Sequence, residues 1–390
     1  MKHQFKIIVV FVCILLCNPF AYGAEENDLS KAIDSLFDNR EGRPGCAVGV
    51  INNGEYIHKR GYGLANLEHN ISIDENSIFR IGSISKQFTA MAIAILEEKG
   101  LLAFDDEMQK HIPDLIDYGE EVTINQMIHH FSGLGDYEDM DYPGRFKNAV
   151  DEEFRWGNED YLTNKEFYAL IKTLPLFRKP ERKFWYSNAG YALLTLVAQN
   201  VSGLNLRELA ERDIFKPLAM NDTFFNDDVN LIIKNRADGY SPIKGKPGQY
   251  KINMTNLSWV GDGGVHTSLN DFIKWDQNFY DNKLGAAEVS LIKTMEKTYA
   301  ETKVKKRNQK MSREQENQRT YAFAQNLAYY NGYKRWSHSG SWVGYLAHYT
   351  RFPELSFSTA VFCNTNEIDA TMIADNIVDL FFKMKQESSD

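Results

Sequence analysis

Three Ser-x-x-Lys matches occur in this chain, at Ser83/Lys86, Ser241/Lys244 and Ser290/Lys293. A serine hydroxyl becomes a useful nucleophile when a base or cation beside it lowers the cost of removing its proton. Residues three apart on a helix share a face, so the spacing suits that pairing. Context separates the three. Ser83 follows a Gly82 turn and precedes the apolar run Phe88 to Leu96, so it is expected in the first turn of a helix. There the positive end of the macrodipole favours a developing alkoxide, and the serine's own N–H, without an intrahelical partner, can bind an oxyanion. Ser241 precedes Pro242, which disfavours the α conformation, so that pair reads as a loop. Ser290 reads as the interior of an amphipathic helix, with its N–H already bonded. Ser83 alone is expected to begin its helix.

The elements that would position Ser83 follow from pattern. Asp28 to Phe37 has helical apolar spacing, and the segment from Cys46 reads as two strands joined at Asn52-Asn53-Gly54, a hairpin signal. The Ser83 helix is apolar nearly all round, hence central, and Gly100 stops it. From Leu101 to about Phe225 the pattern is mostly helical, with helices opening at Thr123, running from Ala192 to Val201 and from Leu206 to Phe215. The Gly261-to-Ser268 segment reads as a flexible turn before a helix near Leu269; it does not follow a strand and lacks a phosphate-loop ending, so no nucleotide site is expected. Strand-like runs return at Tyr321–Tyr330, Lys334–Ser339, Leu346–Arg351 and Ser356–Cys363, before a final amphipathic helix from Ile368 to Met384. Strands at both ends and helices between them imply one sheet assembled from distant halves. The expected division is 1–23 a signal peptide, 24–100 with 260–390 a sheet-plus-helices domain, and 101–259 a mostly helical domain.

The 390 residues are 43% hydrophobic and 25% charged, a globular composition. Lys2, His3 and Lys6, an apolar run from Ile7 to Cys17 and small residues at Ala21 to Ala24 read as a secretory signal, so the protein is expected to be exported, periplasmic or secreted. Leu16 before Cys17 argues against lipidation. The formal charge of −9 becomes −11 without residues 1–23, 42 basic against 53 acidic, which excludes nucleic acid as the expected partner. No later segment is long and apolar enough to span a membrane. Cys46 and Cys363 are expected as two unpaired buried thiols, a bridge being open only if the terminal strands are neighbours. His129 and His130 invite a metal reading, but adjacent residues do not share a helical face and no ligand pattern completes them, so one is read as a satisfied structural histidine. The acidic, aromatic run Asp136 to Tyr142 and the mixed-charge stretch Glu301 to Thr320 read as solvated surface.

Three islands then stand in order: Gly82-Ser83-Ile84-Ser85-Lys86, Trp185-Tyr186-Ser187-Asn188, and Trp336-Ser337-His338-Ser339-Gly340-Ser341. With His130-Phe131-Ser132-Gly133-Leu134, Ile214-Phe215-Lys216-Pro217-Leu218 and Gly263-Gly264-Val265, they resemble the serine β-lactamase and penicillin-binding protein superfamily, nearest the class C β-lactamases and their D-Ala-D-Ala peptidase and esterase relatives. The resemblance implies an α/β (α+β) fold, with an antiparallel sheet built from both chain ends, flanked by helices, and a mostly helical region inserted between. It implies Ser83 as the acylated nucleophile with Lys86 beside it, Tyr186 as general base and later acid, and Asn188, His338, Ser339 and Gly340 as substrate-binding residues. The N–H groups of Ser83 and Ser341 would form the oxyanion hole. No cofactor and no metal is implied. His338 stands where the family usually has lysine, so a fixed positive charge is lost or made pH-dependent. The aromatic loop around Tyr137 and Tyr142 is expected to reshape the pocket. No Gly-x-Ser-x-Gly elbow surrounds Ser83, which argues against an α/β-hydrolase. The expected activity is hydrolysis of an amide or ester (a β-lactam, a D-amino-acid peptide or a small ester) with a small-molecule or peptide partner. The alternatives are a penicillin receptor acylated without turnover, and a structural protein in which Ser83 is only an N-cap. Oligomeric state is left open.

Overall fold

The structure, a computed structural model, describes residues 28–137, 162–286, 290–299 and 321–387. The signal-like segment, Tyr142 and the Glu301-to-Thr320 stretch lie outside them.

Six antiparallel strands form the main sheet, in the spatial order Asn326–Tyr330, Tyr333–Trp342, Tyr345–Phe352, Phe357–Cys363, Cys46–Asn52 and Glu55–Tyr62. Its two halves meet where the Cys46–Asn52 strand pairs with Phe357–Cys363. Alternation decides what each residue covers. Cys46, Val48, Val50 and Val361 point to one face, where Ile33 and the Ala370–Glu387 helix close over them, while Ala47, Ala360 and Phe362 point to the larger core. Asn53 and Gly54 turn the first hairpin with φ of 50° and 79°, and Asn331 and Gly332 turn another with 48° and 83°. Two consecutive positive φ values are what a two-residue hairpin needs, and Asn-Gly adopts them at low cost.

Cys46 lies directly opposite Cys363 in that central pairing, and the two form a disulfide. This corrects the expectation of free thiols: the terminal strands are immediate neighbours, and the Cα atoms are 4.0 Å apart.

The helix Lys86–Glu98 runs through the larger core with every residue from Lys86 to Leu96 buried. Beyond its end Gly100, at φ 68°, donates to Glu97 O at 2.8 Å while Leu101 donates to Leu96 O at 3.0 Å, a Schellman stop. At its start the structure departs from expectation: Gly82–Ser85 is a 3-10 turn, and the α-helix begins only at Lys86. Thr123 and Gln126 form a capping box for Ile124–Ile128, and Ser187 caps Asn188–Ser202 by accepting from the Gly190 N–H. The expected Leu206-to-Phe215 helix is α only to Ala210 and widens into a π turn over Glu211–Phe215.

Three further readings are corrected. Ser241 lies in a short strand, Tyr240–Pro242, with its proline at the end, where no ladder donor is needed. Ser290 is the N-cap of Leu291–Met295, its hydroxyl accepting from the Lys293 N–H at 3.4 Å, so Ser83 is not alone in opening a helix. Ser290 is excluded instead because its oxygen is bonded to that backbone and the Lys293 side chain is exposed. The Gly261-to-Ser268 segment is buried throughout and contains the strand Val265–Thr267, central in a three-stranded sheet with Phe79–Arg80 and Phe224–Phe225. Its carbonyls are pinned in succession: Val260 O accepts from Thr195 Oγ1, Gly261 O from Thr89 Oγ1, Asp262 O from Lys86 Nζ and Gly263 O from Arg80 Nε.

Among the described residues no helix is long and apolar enough to cross a membrane. The disulfide encloses most of the chain, and such a bond restricts the unfolded ensemble. Cys46→Ser with Cys363→Ser should lower the free energy of unfolding by about 2–5 kcal/mol, measured by urea denaturation without reductant. An unchanged midpoint would show that the bond constrains nothing of consequence.

Candidate active site

Lys86 is fully buried, and its ammonium donates to three acceptors from separate parts of the chain: Ser83 Oγ at 3.0 Å, Asn188 Oδ1 at 2.7 Å and Asp262 O at 2.6 Å. An ammonium has three protons, so this cradle uses them all. The 3-10 turn and the first turn of the α-helix set the first distance. The cap of the Asn188–Ser202 helix sets the second, helped by the Asn188 N–H, which donates to Asp136 Oδ2 at 2.5 Å. The pinned carbonyls of 260–263 set the third.

Ser83, Tyr186, Asn188, Asp136 and Asp262 line one cavity of about 660 Å³, walled by Trp185 and Trp342 and floored in part by Gly263 and Ser341. The Tyr186 ring centre lies 5.0 Å from Lys86 Nζ and 4.3 Å from the His130 ring. Two glycines let the Ser83 turn and the Tyr333–Trp342 strand touch. Gly82 has φ 51°, and a Cβ there would lie 2.5 Å from Ser341 N. A Cβ on Gly340 would lie 2.0 Å from Ile81 O and 3.3 Å from Ser83 N. The backbone nitrogens of Ser83 and Ser341 are thereby brought to one end of the cavity.

His338 does not line this cavity. It is buried, with Nδ1 2.6 Å from Ser339 O and Nε2 3.0 Å from Tyr321 Oη. The carbonyl can only accept, so Nδ1 carries the proton and Nε2 accepts from the tyrosine. Burial, and then the Lys86 charge, push its pKa from 6.5 down to about 3. The ring is therefore neutral at neutral pH, so of the two outcomes expected at this position the positive charge is lost rather than made pH-dependent. Ser339, on the other side of the strand's alternation, is exposed. His129 and His130 are both buried. His129 places a ring nitrogen near each of two carbonyls, Asn125 O and Lys297 O, and His130 Nδ1 accepts from the Ser187 N–H at 3.1 Å. Among the described residues no three His, Cys, Asp or Glu side chains converge as a metal site.

Asp136, Asp262 and Tyr321 are contributions that motif reading missed, while Tyr137, expected as part of a loop shaping the pocket, acts through Asp262. Asp136 and Tyr137, read as solvated loop, are buried; Tyr137 donates to the Asp262 carboxylate and accepts from Trp259 Nε1. A signal existed for Asp136, which follows the small-residue run Ser132 to Gly135 directly. None existed for Tyr321, whose partner His338 is 17 positions away.

Gly82→Ala should fold yet lose oxyanion geometry, with kcat falling on the order of 10²–10³-fold against any acyl substrate; full activity would show that the two nitrogens need not converge. Burial lowers His58 to about 4 and His266, His338 and His348 to about 3. Below about pH 6.5 the unfolded chain takes up protons that these rings refuse, so stability should fall as pH drops from there toward 3. Each contributes about 1 kcal/mol per pH unit, and His338→Gln should flatten the slope between about pH 6 and pH 4 in urea titrations.

A family model described as Beta-lactamase matches residues 33–381. The chain is 26% identical over 245 residues to penicillin-binding protein 4* of Bacillus subtilis (strain 168), covering 59% of this chain and 51% of that one. It is 28% identical over 266 residues to protein flp of Staphylococcus aureus (strain MRSA252), covering 64% and 48%. It thus spans about half the length of these curated relatives. The octameric penicillin-binding protein homologue from Pyrococcus abyssi superposes with a TM-score of 0.73 at 26% identity, over 92% of this chain and 77% of that one. EstCE1, a hydrolase with promiscuous acyltransferase activity, superposes with a TM-score of 0.72 at 17% identity over 92% and 99%, a likeness of fold alone. The family match runs through all three motif islands and both halves of the sheet, and the chain belongs to the Beta-lactamase family.

Proposed function

We propose that this protein is an exported serine hydrolase that forms an acyl-enzyme at Ser83 on an ester or amide. The observation that carries the reading is the buried Lys86 ammonium 3.0 Å from Ser83 Oγ, at the edge of an open cavity. Tyr186, entering the step as the phenolate, takes the hydroxyl proton as Ser83 Oγ attacks the substrate carbonyl carbon, and Lys86 stabilises the negative charge growing on that oxygen. The carbonyl oxygen moves toward the Ser83 and Ser341 N–H groups as it becomes an oxyanion. When the tetrahedral intermediate collapses, the bond to the leaving group breaks, and the leaving group takes the proton from Tyr186. Water then attacks the Ser83 ester, giving a proton to Tyr186, and as that intermediate collapses the acyl carbon–Oγ bond breaks, Tyr186 returns the proton to Ser83 Oγ, and the acid is released. The Asn188 amide, its oxygen held by Lys86, offers its NH₂ to the substrate.

The lining favours an acyl substrate without a free carboxylate. His338 is buried and neutral, all three Lys86 protons are engaged, and the described lining includes Asp136 and Asp262 but no lysine or arginine. An anionic group entering this cavity would lose hydration without gaining a counter-charge. A neutral ester or amide therefore fits better than a penicillin or a D-alanyl peptide, although penicillin-binding protein 4* is among the relatives. Export rests on the leader-like first residues and on the Cys46–Cys363 bridge, which suits an oxidising compartment.

Intact mass of the protein, followed after adding a neutral aryl ester or a penicillin, tests both parts. An adduct should form on the wild type and not on Ser83→Ala, and Tyr186→Phe should slow its formation on the order of 10²–10⁴-fold. The kcat/KM for the ester should exceed that for the penicillin by at least about tenfold, about 1.4 kcal/mol. Labelling retained in Ser83→Ala would falsify the nucleophile. A preference for the penicillin would overturn the charge argument, and a stable penicillin adduct without turnover would make the protein a receptor.

A further inference from the structure

A second cavity, of about 30 Å³, is lined in part by Arg80, Asn226, Arg236, His266 and Tyr345. It has room for one water-sized occupant and little more. Arg80 is only 5% exposed, in the strand that pairs with Val265–Thr267, directly opposite His266. Its Nε donates to Gly263 O at 2.9 Å and its guanidinium faces the Trp342 ring at 5.2 Å. Neither contact is a counter-ion, and Arg80 makes no ion pair with any described residue. The Asp262 carboxylate acts on it from a distance but is already bonded to Tyr137. Arg236 binds Asp238 through Nε at 2.9 Å, so that pair leaves the Arg80 charge unbalanced.

Several other polar groups at the cavity have partners, among them Thr255 Oγ1, which accepts from the Leu257 N–H at 3.0 Å. Tyr345 donates to Ala237 O at 2.8 Å and His266 Nδ1 lies 3.3 Å from Gly264 O. Asn226 Oδ1 is buried without a partner. Rotated by half a turn, that amide would present its NH₂ at the same place, and the two orientations differ only in which atom is called nitrogen. The field at the cavity is positive: His266 is held at about 3 first by burial, then by Arg80 and more weakly by Arg236 and Arg207. A buried, unpaired guanidinium is costly, and an anion beside it removes the cost.

We propose that this cavity binds one monatomic anion of the halide class, chloride in ordinary salt, held by the Arg80 guanidinium with Arg236 and the Asn226 amide. The small volume favours a monatomic ion over phosphate, sulfate or a carboxylate. The bound ion neutralises Arg80 where it holds Gly263, the residue after the carbonyl that holds Lys86.

The test uses the full chain in gluconate buffer, with chloride or bromide replacing gluconate at constant ionic strength. Chloride should raise the melting temperature in a saturable way, because an ion that binds only the folded state stabilises it. A crystal soaked in bromide should show an anomalous peak within hydrogen-bond distance of the Arg80 guanidinium. Arg80→Met should abolish the saturable response, and Arg236→Gln, which leaves the buried arginine in place, should weaken halide affinity on the order of tenfold. If Arg80→Met does not fold, the Arg236→Gln titration and the bromide peak decide. A melting curve indifferent to chloride, bromide absent from this cavity, or a response unaltered in Arg236→Gln would each overturn the proposal and leave the cavity to water.

Discussion

Everything near Ser83 depends on the Lys86 ammonium being buried and fully bonded. A charge taken out of water is tolerable only if each of its protons finds an acceptor. Here the acceptors come from residues 83, 188 and 262, so the cation acts as the pin at which the Ser83 turn, the Asn188–Ser202 helix and the glycine-rich segment are joined. Removing any one acceptor strands a proton in the core. The geometry of the nucleophile and the packing of the fold are consequently one problem, solved once.

The glycine-rich segment shows how local pattern and tertiary setting can disagree. Gly261, Gly263 and Gly264 read as flexibility because a residue without a Cβ has wide backbone freedom. In the fold, Gly261 and Gly264 are glycines because other groups press on them. A Cβ on Gly261 would lie 2.0 Å from Thr195 Oγ1, and one on Gly264 would lie 2.4 Å from Val260. Four successive carbonyls then receive side-chain donors from distant positions, which makes the segment a rigid wall of the cavity.

The sheet, its two Asn-Gly hairpins and the central helix were legible because alternation, Asn-Gly turns and an all-round apolar run are local signals. So was the Ser83–Lys86 pair, and Asn188 through its place beside Tyr186. What stayed hidden is relational. Ser290 could not be told from a helix interior without seeing its oxygen cap Lys293 N. The state of His338 depends on Tyr321 and on burial, neither of which its neighbours in sequence reveal. The pairing of Cys46 with Cys363 needed the knowledge that the first and last portions of the sheet lie side by side.

That bridge also changes what the polypeptide is topologically. Tension applied at the two ends of the chain is carried across the sulfur–sulfur bond and never reaches the span between the cysteines, which contains every residue of the Ser83 cavity except Asn366. By the same token, one peptide bond cut anywhere inside that span yields two segments that remain a single covalent molecule. A nicked protein would still present Ser83, Asn188 and Asp262 from one connected body, separable only by reduction.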